Sequence, residues 1–254
     1  MGAFTSLPGR TTSGEAFALN KGLQFVETEL LITLDADTLL QKSAVRYLIA
    51  RYLTAPVDVC AVAGTVLVRK QPGHVPHPHA GMGLFFAIVS IKRLQGLYQS
   101  TLVAQGAFSL YKKEAVRAIG GWPDAIGEDI VLTWRFFKSS WRVYFEPLAV
   151  AFTVVLSSFR HFARQRSRWA RGMIEALKEI KPWYHPNMFA KFLTDLDLLV
   201  PFLDAVYTFA WIPGLLLALT GFFWIVGPYA LFVLPLTLLS YSILYRFQKM
   251  YSVP

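Results

Sequence analysis

The C-terminal part of the chain contains a long uncharged run, and this run limits the folds that the sequence can adopt. No charged side chain occurs from Ala205 to Tyr245. Two apolar helical spans of about 20 residues fit in a run of this length. Breaks at Thr220-Gly221 and Gly227-Pro228 favour a hairpin with a short connection, and helices satisfy their backbone groups in lipid. The sequence therefore predicts two transmembrane helices within residues 196–254.

A basic segment stands directly before that run. Its positive side chains are Arg160, Arg164, Arg166, Arg168, Arg171, Lys178 and Lys181, opposed by Glu175 and Glu179. A basic amphipathic helix on an anionic leaflet explains this pattern, so residues 159–195 are expected at the surface of a lipid bilayer. Basic residues flank both ends of the predicted hairpin, which favours a multi-pass cell-membrane protein whose N-terminal domain and C-terminus both face the cytoplasm.

The formal net charge of +9 does not by itself indicate nucleic acid, because no nucleic-acid-binding module accompanies it. Residues 1–158 alternate between helical and strand-like patterns. Helices are expected at Gly14–Val26, at Leu40–Leu53, within 82–103 and from Glu128. Single strands are expected at Leu30–Leu34, Ala107–Tyr111, Arg142–Phe145 and Val150–Val155, and one or two strands within Asp58–Val68. This alternation predicts an α/β fold with a mixed or mostly parallel sheet. The single cysteine, Cys60, lies in an apolar run and is expected to be a buried thiol.

Two aspartates follow the first predicted strand. Asp35 and Asp37 alternate by two, and this spacing at a strand end directs both carboxylates to one side. Open α/β sheets bind ligands at the carboxyl ends of their strands. A divalent cation that carries a diphosphate would offset the repulsion between the carboxylates, and hard oxygen ligands favour Mg2+ or Mn2+. Asp195 and Asp197 share the spacing but follow no apolar strand, so we interpret them as helix-start or interfacial carboxylates.

A second acidic pair opens a predicted helix. Asp129 follows Gly127 and Glu128, and the helix dipole favours its ionised form there. Such a carboxylate can accept a proton from an acceptor hydroxyl. By position alone, an ordinary acidic N-terminal cap is the structural alternative. Glu128 is expected to point to another side of the helix.

Three residues of the basic segment share one helix face. Gln165, Arg168 and Trp169 stand at i, i+3 and i+4. A guanidinium suits a diphosphate through its fork of donors, and an indole face suits a sugar ring. Without further information the same residues also fit a basic membrane-surface helix. The two interpretations are compatible, because a helix at the membrane can close the floor of a site.

Five short motifs occur in a recognisable order: Leu34-Asp-Ala-Asp-Thr38, Gly106-Ala-Phe-Ser109, Gly120-Gly-Trp122, Gly127-Glu-Asp129 and Gln165-Arg-Ser-Arg-Trp169. In order and rough spacing the set resembles the processive family 2 glycosyltransferases, which include the synthases of poly-N-acetylglucosamine, chitin oligosaccharide, hyaluronan and cellulose. The resemblance covers about residue 14 to the end. It implies a GT-A-like, Rossmann-related mixed sheet and a membrane-bound inverting transferase.

The resemblance also implies roles for the acidic residues and for the substrates. Asp35 would lie near the nucleotide, Asp37 would bind the metal, and Asp129 would be the general base. The expected donor is UDP-N-acetylglucosamine, because the neighbourhood of Gly106 to Ser109 looks more like the poly-N-acetylglucosamine and chitin-oligosaccharide synthases than the cellulose type. The expected acceptor is a growing β-linked polysaccharide.

The remaining motif residues are assigned to the acceptor or to the diphosphate. By the resemblance these are Gln165, Arg168, Trp169, Gly106, Ala107, Phe108 and Glu128, and the first three form the motif associated with processivity. A glycine followed by small residues at an edge strand is also simply good packing. The histidines at 74, 77 and 79 stand among prolines without a nearby carboxylate or cysteine, so a solvated loop is favoured over a metal site.

Two departures from the family pattern favour a rival interpretation. Glu15 stands where family members commonly have lysine, and it would repel a diphosphate unless Lys21 or Arg10 compensates. Only one helix and one strand precede Asp35, so we expect an N-terminally incomplete fold that binds donor weakly. The alternative function is a catalytically inactive fragment or a non-catalytic membrane subunit. A non-processive enzyme with a lipid acceptor is the nearest enzymatic rival, and an accessory subunit stays open as a partner.

Overall fold

The computed structural model describes residues 14–69, 101, 103–154, 159–186 and 188–227, with 229, 232, 233, 235, 236, 238–240, 242, 243 and 246. The predicted loop at 71–81, with its three histidines, lies outside these residues, as does nearly all of the helix predicted within 82–103. The chain divides into two compact units, Met1–Lys191 and Phe192–Pro254.

The first unit alternates helices and strands, as the sequence pattern predicts. Its described elements are α1 (Glu15–Phe25), β1 (Leu30–Leu34), β2 (Leu39–Leu40), α2 (Ala44–Leu53), β3 (Val59–Arg69), β4 (Phe108–Lys112), α3 (Lys113–Ala118), α4 (Glu128–Lys138), β5 (Arg142–Val154) and α5 (Phe159–Glu179). The prediction for the start of α2 was four residues early. Leu39 and Leu40 instead pair with Phe152 and Ala151, and this pairing holds them in an extended conformation.

The five described strands form one sheet in the order β1-β4-β3-β5-β2. Strands β3 and β5 are parallel, whereas β4 runs antiparallel to both β1 and β3. A mixed sheet is therefore confirmed and a mostly parallel one is wrong. Because β4 opposes β1, Leu34 at the end of β1 pairs with Phe108 at the start of β4. The loop that precedes β4 consequently lies beside Asp35.

The two strands predicted from Arg142 to Val155 are the two paired parts of β5. The register against β3 passes from Ala63↔Phe145 to Thr65↔Val150, so residues 146–149 bulge out of the ladder. Pro147 lies in this bulge, where no backbone N–H is needed. The strand is therefore continuous along the chain but interrupted in its pairing.

The core lies between the sheet and α2. Leu48 and Ala44 of α2 pack with Val62, Phe108 and Leu110, and all five are fully buried. Gly64 makes room for Phe108, because a Cβ at Gly64 would lie 2.7 Å from Phe108 Cε1. Cys60 is fully buried, as predicted. These contacts fix the strands that carry the acidic loop residues.

The helix α6 (Met188–Val206) continues through a π-helical turn (Tyr207–Trp211) into α7 (Ile212–Leu219). Gly221 follows with φ 89°, which agrees with the predicted break at Thr220-Gly221. Within the residues that the structure describes, no helix combines the length and the apolarity needed to cross a membrane. The hairpin predicted within 196–254 is not supported there.

Candidate active site

Asp35 and Asp37 lie in a tight turn directly after β1. The Thr38 N–H donates to Asp35 O at 3.0 Å and closes this turn, while the Asp35 N–H donates to Ala107 O at 3.3 Å. Asp35 is half-buried and Asp37 is exposed. Because the turn begins at Asp35, the alternation of a strand does not extend to Asp37. The two carboxylates nevertheless act on each other, since the charge of Asp37 raises the pKa of Asp35.

Burial and three other charged side chains change the pKa of Asp35. Burial raises this pKa most, followed by the charges of Glu15 and Asp37, and the positive charge of Arg168 opposes the rise. Glu15 is the first residue of α1, and Arg168 belongs to α5. The structure therefore brings together residues from the two ends of the first unit around the end of β1.

A second group of carboxylates lies at the start of α4. The Ile130 N–H donates to Asp129 Oδ1 at 2.8 Å, so the Asp129 carboxylate accepts one backbone N–H of the first turn. Burial raises the pKa of Glu128 to about 7, with the charges of Asp129 and Glu15 adding to the rise and that of Arg168 opposing it. The charges of Glu15 and Arg168 therefore affect the pKa of Glu128 as well as that of Asp35.

Gly106 separates Glu128 from Glu15. A Cβ at Gly106 would lie 3.8 Å from Glu128 Oε1 and 3.9 Å from Glu15 Oε1. The neighbouring Ala107 contacts the aspartate turn through its carbonyl, whereas Phe108 has no exposed surface and packs in the core. Of the three loop residues predicted to approach an acceptor, Gly106 thus faces the carboxylates, and Phe108 serves packing.

The helix α5 packs against α4 at a point of backbone contact. A Cβ at Gly172 would lie 2.7 Å from Gly127 Cα, so only glycine allows this approach. Two polar contacts extend the interface: the Ile126 N–H donates to Glu175 Oε2 at 2.8 Å, and Arg135 pairs with Glu179 at 2.6 Å.

The α4–α5 contact orients the motif that the sequence analysis placed on one helix face. Arg168, Gly172 and Glu175 follow one another at helical spacing on the face that meets α4. Gln165 is half-buried, and Trp169 is 37% exposed. Arg168 lies one helical turn before Gly172, and its positive charge opposes the rise in the pKa values of Asp35 and Glu128.

Sequence reasoning missed two parts of this arrangement. The family pattern places Glu15 near the nucleotide, but nothing in the sequence predicts its proximity to Glu128. Its helix is held by Asn20, whose side chain accepts from the Trp122 N–H at 2.8 Å and donates to Trp122 O at 2.7 Å. The second omission is Gly172. A glycine inside a helix of 21 residues is the signal that could have indicated close packing.

The chemistry of the donor set limits the metal that it can hold. Among the residues described by the structure, no group of three or more histidine, cysteine, aspartate or glutamate side chains is arranged to bind a metal ion. Asp37 nevertheless exposes a carboxylate beside Asp35. Mg2+ is commonly bound by one or two carboxylates together with substrate phosphates and water. The residues present therefore fit a cation shared with a diphosphate and not one enclosed by protein alone.

A mixed α/β sheet with acidic residues at the end of a strand is the organisation of a GT-A-like protein, and a solved structure has the same fold. It is a mannosyltransferase from Pyrobaculum calidifontis in complex with GDP-Man and Mn2+, with a TM-score of 0.51 and 20% sequence identity, covering 94% of this chain and 67% of that one.

The chain belongs to glycosyl transferase family group 2, whose model matches residues 30–245. Two curated relatives are poly-beta-1,6-N-acetyl-D-glucosamine synthases. The one from Staphylococcus aureus strain COL is 33% identical and the one from Staphylococcus epidermidis strain ATCC 35984 is 32% identical, each over 165 residues, or 65% of this chain. The aligned part covers 40% of the length of these relatives.

Proposed function

We propose that this chain is the catalytic part of an inverting glycosyltransferase that adds N-acetylglucosamine from UDP-N-acetylglucosamine to a growing β-linked polysaccharide. The family assignment supports glycosyl transfer, and the names of the two relatives support this sugar. The observation that carries the proposal is the group of carboxylates at the end of β1 and the start of α4, where Glu128 Oε1 and Glu15 Oε1 lie 3.8 and 3.9 Å from the Cβ position of Gly106 and the positive charge of Arg168 acts on both Asp35 and Glu128. Arg168 is the cation of this group. It supplies a cation where a donor diphosphate would meet a cluster of carboxylates.

In the proposed reaction Asp129 accepts the proton of the acceptor hydroxyl as that oxygen attacks the anomeric carbon. General base catalysis of this kind contributes about 10²–10⁴ in rate. The bond to the diphosphate breaks in the same step, so the anomeric centre inverts. Arg168 offsets the charge that develops on the leaving diphosphate. When bound at Asp37, Mg2+ or Mn2+ would supply Lewis-acid stabilisation of the same oxygens.

Gln165 and Trp169 complete the proposal on the acceptor side. They lie on the helix that carries Arg168, and the partly exposed indole of Trp169 suits the face of a sugar ring. Gly106 brings the loop backbone close to Glu128, because a Cβ at this position would lie only 3.8 Å from Glu128 Oε1. An acceptor hydroxyl that enters beside Gly106 would meet these carboxylates directly, because Gly106 has no side chain to stand between them.

A lipid bilayer belongs to the proposal as a partner. The helix α5 is basic, and Trp183 and Tyr184 follow it with 53% and 66% of their surfaces exposed. Exposed aromatic residues beside a basic amphipathic helix suit the interface of an anionic membrane. These features support an interfacial position for the segment after α5.

A non-catalytic subunit that keeps the fold is the second candidate, and Glu15 favours it. Its carboxylate adds negative charge beside Asp35 and Glu128, where a diphosphate would have to bind. The two candidates differ in one measurable property. The first requires transfer of labelled N-acetylglucosamine by the wild-type protein, and the second requires its absence.

Replacing Asp129 by asparagine tests the proposed base. We expect Asp129→Asn to lower polymer formation by about 10² or more, because the amide cannot accept the proton. UDP binding, measured by calorimetry, should stay within the wild-type range. The matched control is Asp195→Asn, since Asp195 is an exposed carboxylate of α6. Wild-type rates in Asp129→Asn would remove Asp129 from the role of base.

A further inference from the structure

The loop at residues 103–107 lies between the two acidic groups of the proposed site. At its end, Ala107 O accepts from the Asp35 N–H at 3.3 Å. Near its start, the Ala104 N–H donates to Thr133 Oγ1 of α4 at 2.9 Å. The loop thus touches the aspartate turn with one end and the helix of Asp129 with the other. The loop therefore bridges the two acidic groups.

Three buried hydroxyl groups hold the backbone of this loop. Besides the bond to Thr133, Tyr111 OH donates to Ala104 O at 3.0 Å and Ser109 Oγ donates to Gln105 O at 2.7 Å. Ser109, Tyr111 and Thr133 have no exposed surface. In a loop, side chains must satisfy buried backbone groups that a helix or sheet would otherwise pair. These three residues are therefore a hydroxyl clamp on the loop.

Thr133 is the member of the clamp that also contacts the backbone of Asp129, the residue proposed as the base. Its hydroxyl donates to Asp129 O at 2.7 Å while it accepts from the Ala104 N–H. A threonine inside a helix often bonds the carbonyl four residues earlier. Here the same oxygen also receives a donor from the loop, so one hydroxyl group joins the first turn of α4 to Ala104. Serine can make both bonds, and valine can make neither.

A continuous path of hydrogen bonds and backbone consequently connects the two acidic groups. It runs from Asp129 through Thr133 to Ala104, along the loop to Ala107, and on to Asp35. We infer that Thr133 is a positioning residue for glycosyl transfer, because its hydroxyl fixes the spacing between Asp129 and Asp35. This inference rests on the proposed function, since that spacing affects the rate only when Asp129 takes the proton of an acceptor beside the donor.

The test compares Thr133→Val with Thr133→Ser in the full chain. Valine keeps the shape of threonine but breaks both bonds, so we expect kcat to fall by about 10- to 100-fold, the usual cost of misplacing a reacting group. The KM for the donor should change by less than about 3-fold, because the donor-binding residues are unaltered. Serine keeps the hydroxyl and should restore kcat to within about 3-fold of wild type.

Thr65→Val is the matched control. Thr65 is a buried threonine of β3 whose Oγ1 donates to Pro147 O at 3.1 Å, and that bond involves no residue of the loop. Its loss should lower the melting temperature as Thr133→Val does, because each variant gives up a buried hydroxyl bond. It should leave kcat unchanged. The comparison therefore separates positioning from a general loss of stability.

Amide hydrogen exchange of peptides that cover residues 103–107 gives a second readout, which needs no turnover. We expect faster exchange at Ala104 in Thr133→Val and wild-type exchange in Thr133→Ser. Unchanged exchange at Ala104 in Thr133→Val would overturn the inference, and so would an equal loss of kcat in the serine and valine variants. A wild-type chain that transfers no sugar would count against the proposed function alone.

Discussion

Replacing Gly172 by alanine tests whether the position of α5 sets the rate of transfer. The Cβ of alanine would lie 2.7 Å from Gly127 Cα and 2.9 Å from Gly127 N. Both of these atoms are backbone, so no side chain can rotate away to make room. The new methyl group must therefore push α5 away from α4, and Arg168 moves with its helix.

The size of the displacement follows from ordinary contact distances. Carbon atoms in contact sit about 3.5–4.0 Å apart, so α5 has to move by about 1 Å. A displacement of this size at a reacting centre costs up to about 100-fold in rate. Overpacking of a close contact also costs about 1–3 kcal/mol of stability. We therefore expect Gly172→Ala to lower kcat by about 10- to 100-fold in a folded protein.

The assay measures release of UDP from UDP-N-acetylglucosamine with an acceptor oligosaccharide, together with the free energy of unfolding in urea. Gly22→Ala is the control, because Gly22 lies inside α1 and no atom stands within 4 Å of its Cβ position. That variant should gain about 1 kcal/mol from helix propensity and keep its activity. Equal turnover by Gly172→Ala and Gly22→Ala would refute the reasoning.

Two further predictions concern pH and lipid. The pKa of Glu128 is raised to about 7, so the folded state loses stability as pH rises from the ordinary value of 4.5 through 7. Glu128→Gln should thus be more stable than wild type above pH 7 by about 1 kcal/mol, after allowance for solvent screening of a partly exposed carboxyl. Below pH 4.5 the two proteins should have the same free energy of unfolding in urea titrations. A stability difference that does not change with pH would contradict this. The chain should also sediment with anionic vesicles more than with neutral ones, and Trp183→Ala with Tyr184→Ala should weaken this binding; equal sedimentation with both vesicle types would argue against an interfacial role.

Local signals predicted those parts of the fold that depend on neighbouring residues. The apolar run Leu30–Leu34 is β1, and the two aspartates follow it as expected. The acidic start of α4 at Glu128 was also predicted, because an N-terminal acidic pair before an amphipathic pattern is a local signal. For the same reason Gln165, Arg168 and Trp169 were placed correctly on one helix.

The parts that could not be predicted depend on contacts between distant segments. Helix α5 meets α4 where two glycines touch, and no periodic pattern links Gly127 to Gly172. Likewise Glu15 approaches Glu128 because Asn20 bonds Trp122, which is 102 residues away in the chain. The antiparallel direction of β4 has a similar origin, since strand direction depends on the path of the connection and not on strand composition.

Helix α1 is tied through Asn20 to a segment far away in the sequence. Asn20 bonds Trp122, which directly follows the turn of Gly120 and Gly121, and these glycines have φ of 87° and 80°. Glu15 stands five positions away, or about 7.5 Å along the helix axis. A small rotation of the turn would therefore move the Glu15 carboxylate relative to Glu128, although the turn contacts neither residue. Substitutions in the turn can in this way change the position of the negative charge beside Gly106, although the turn is remote from that charge.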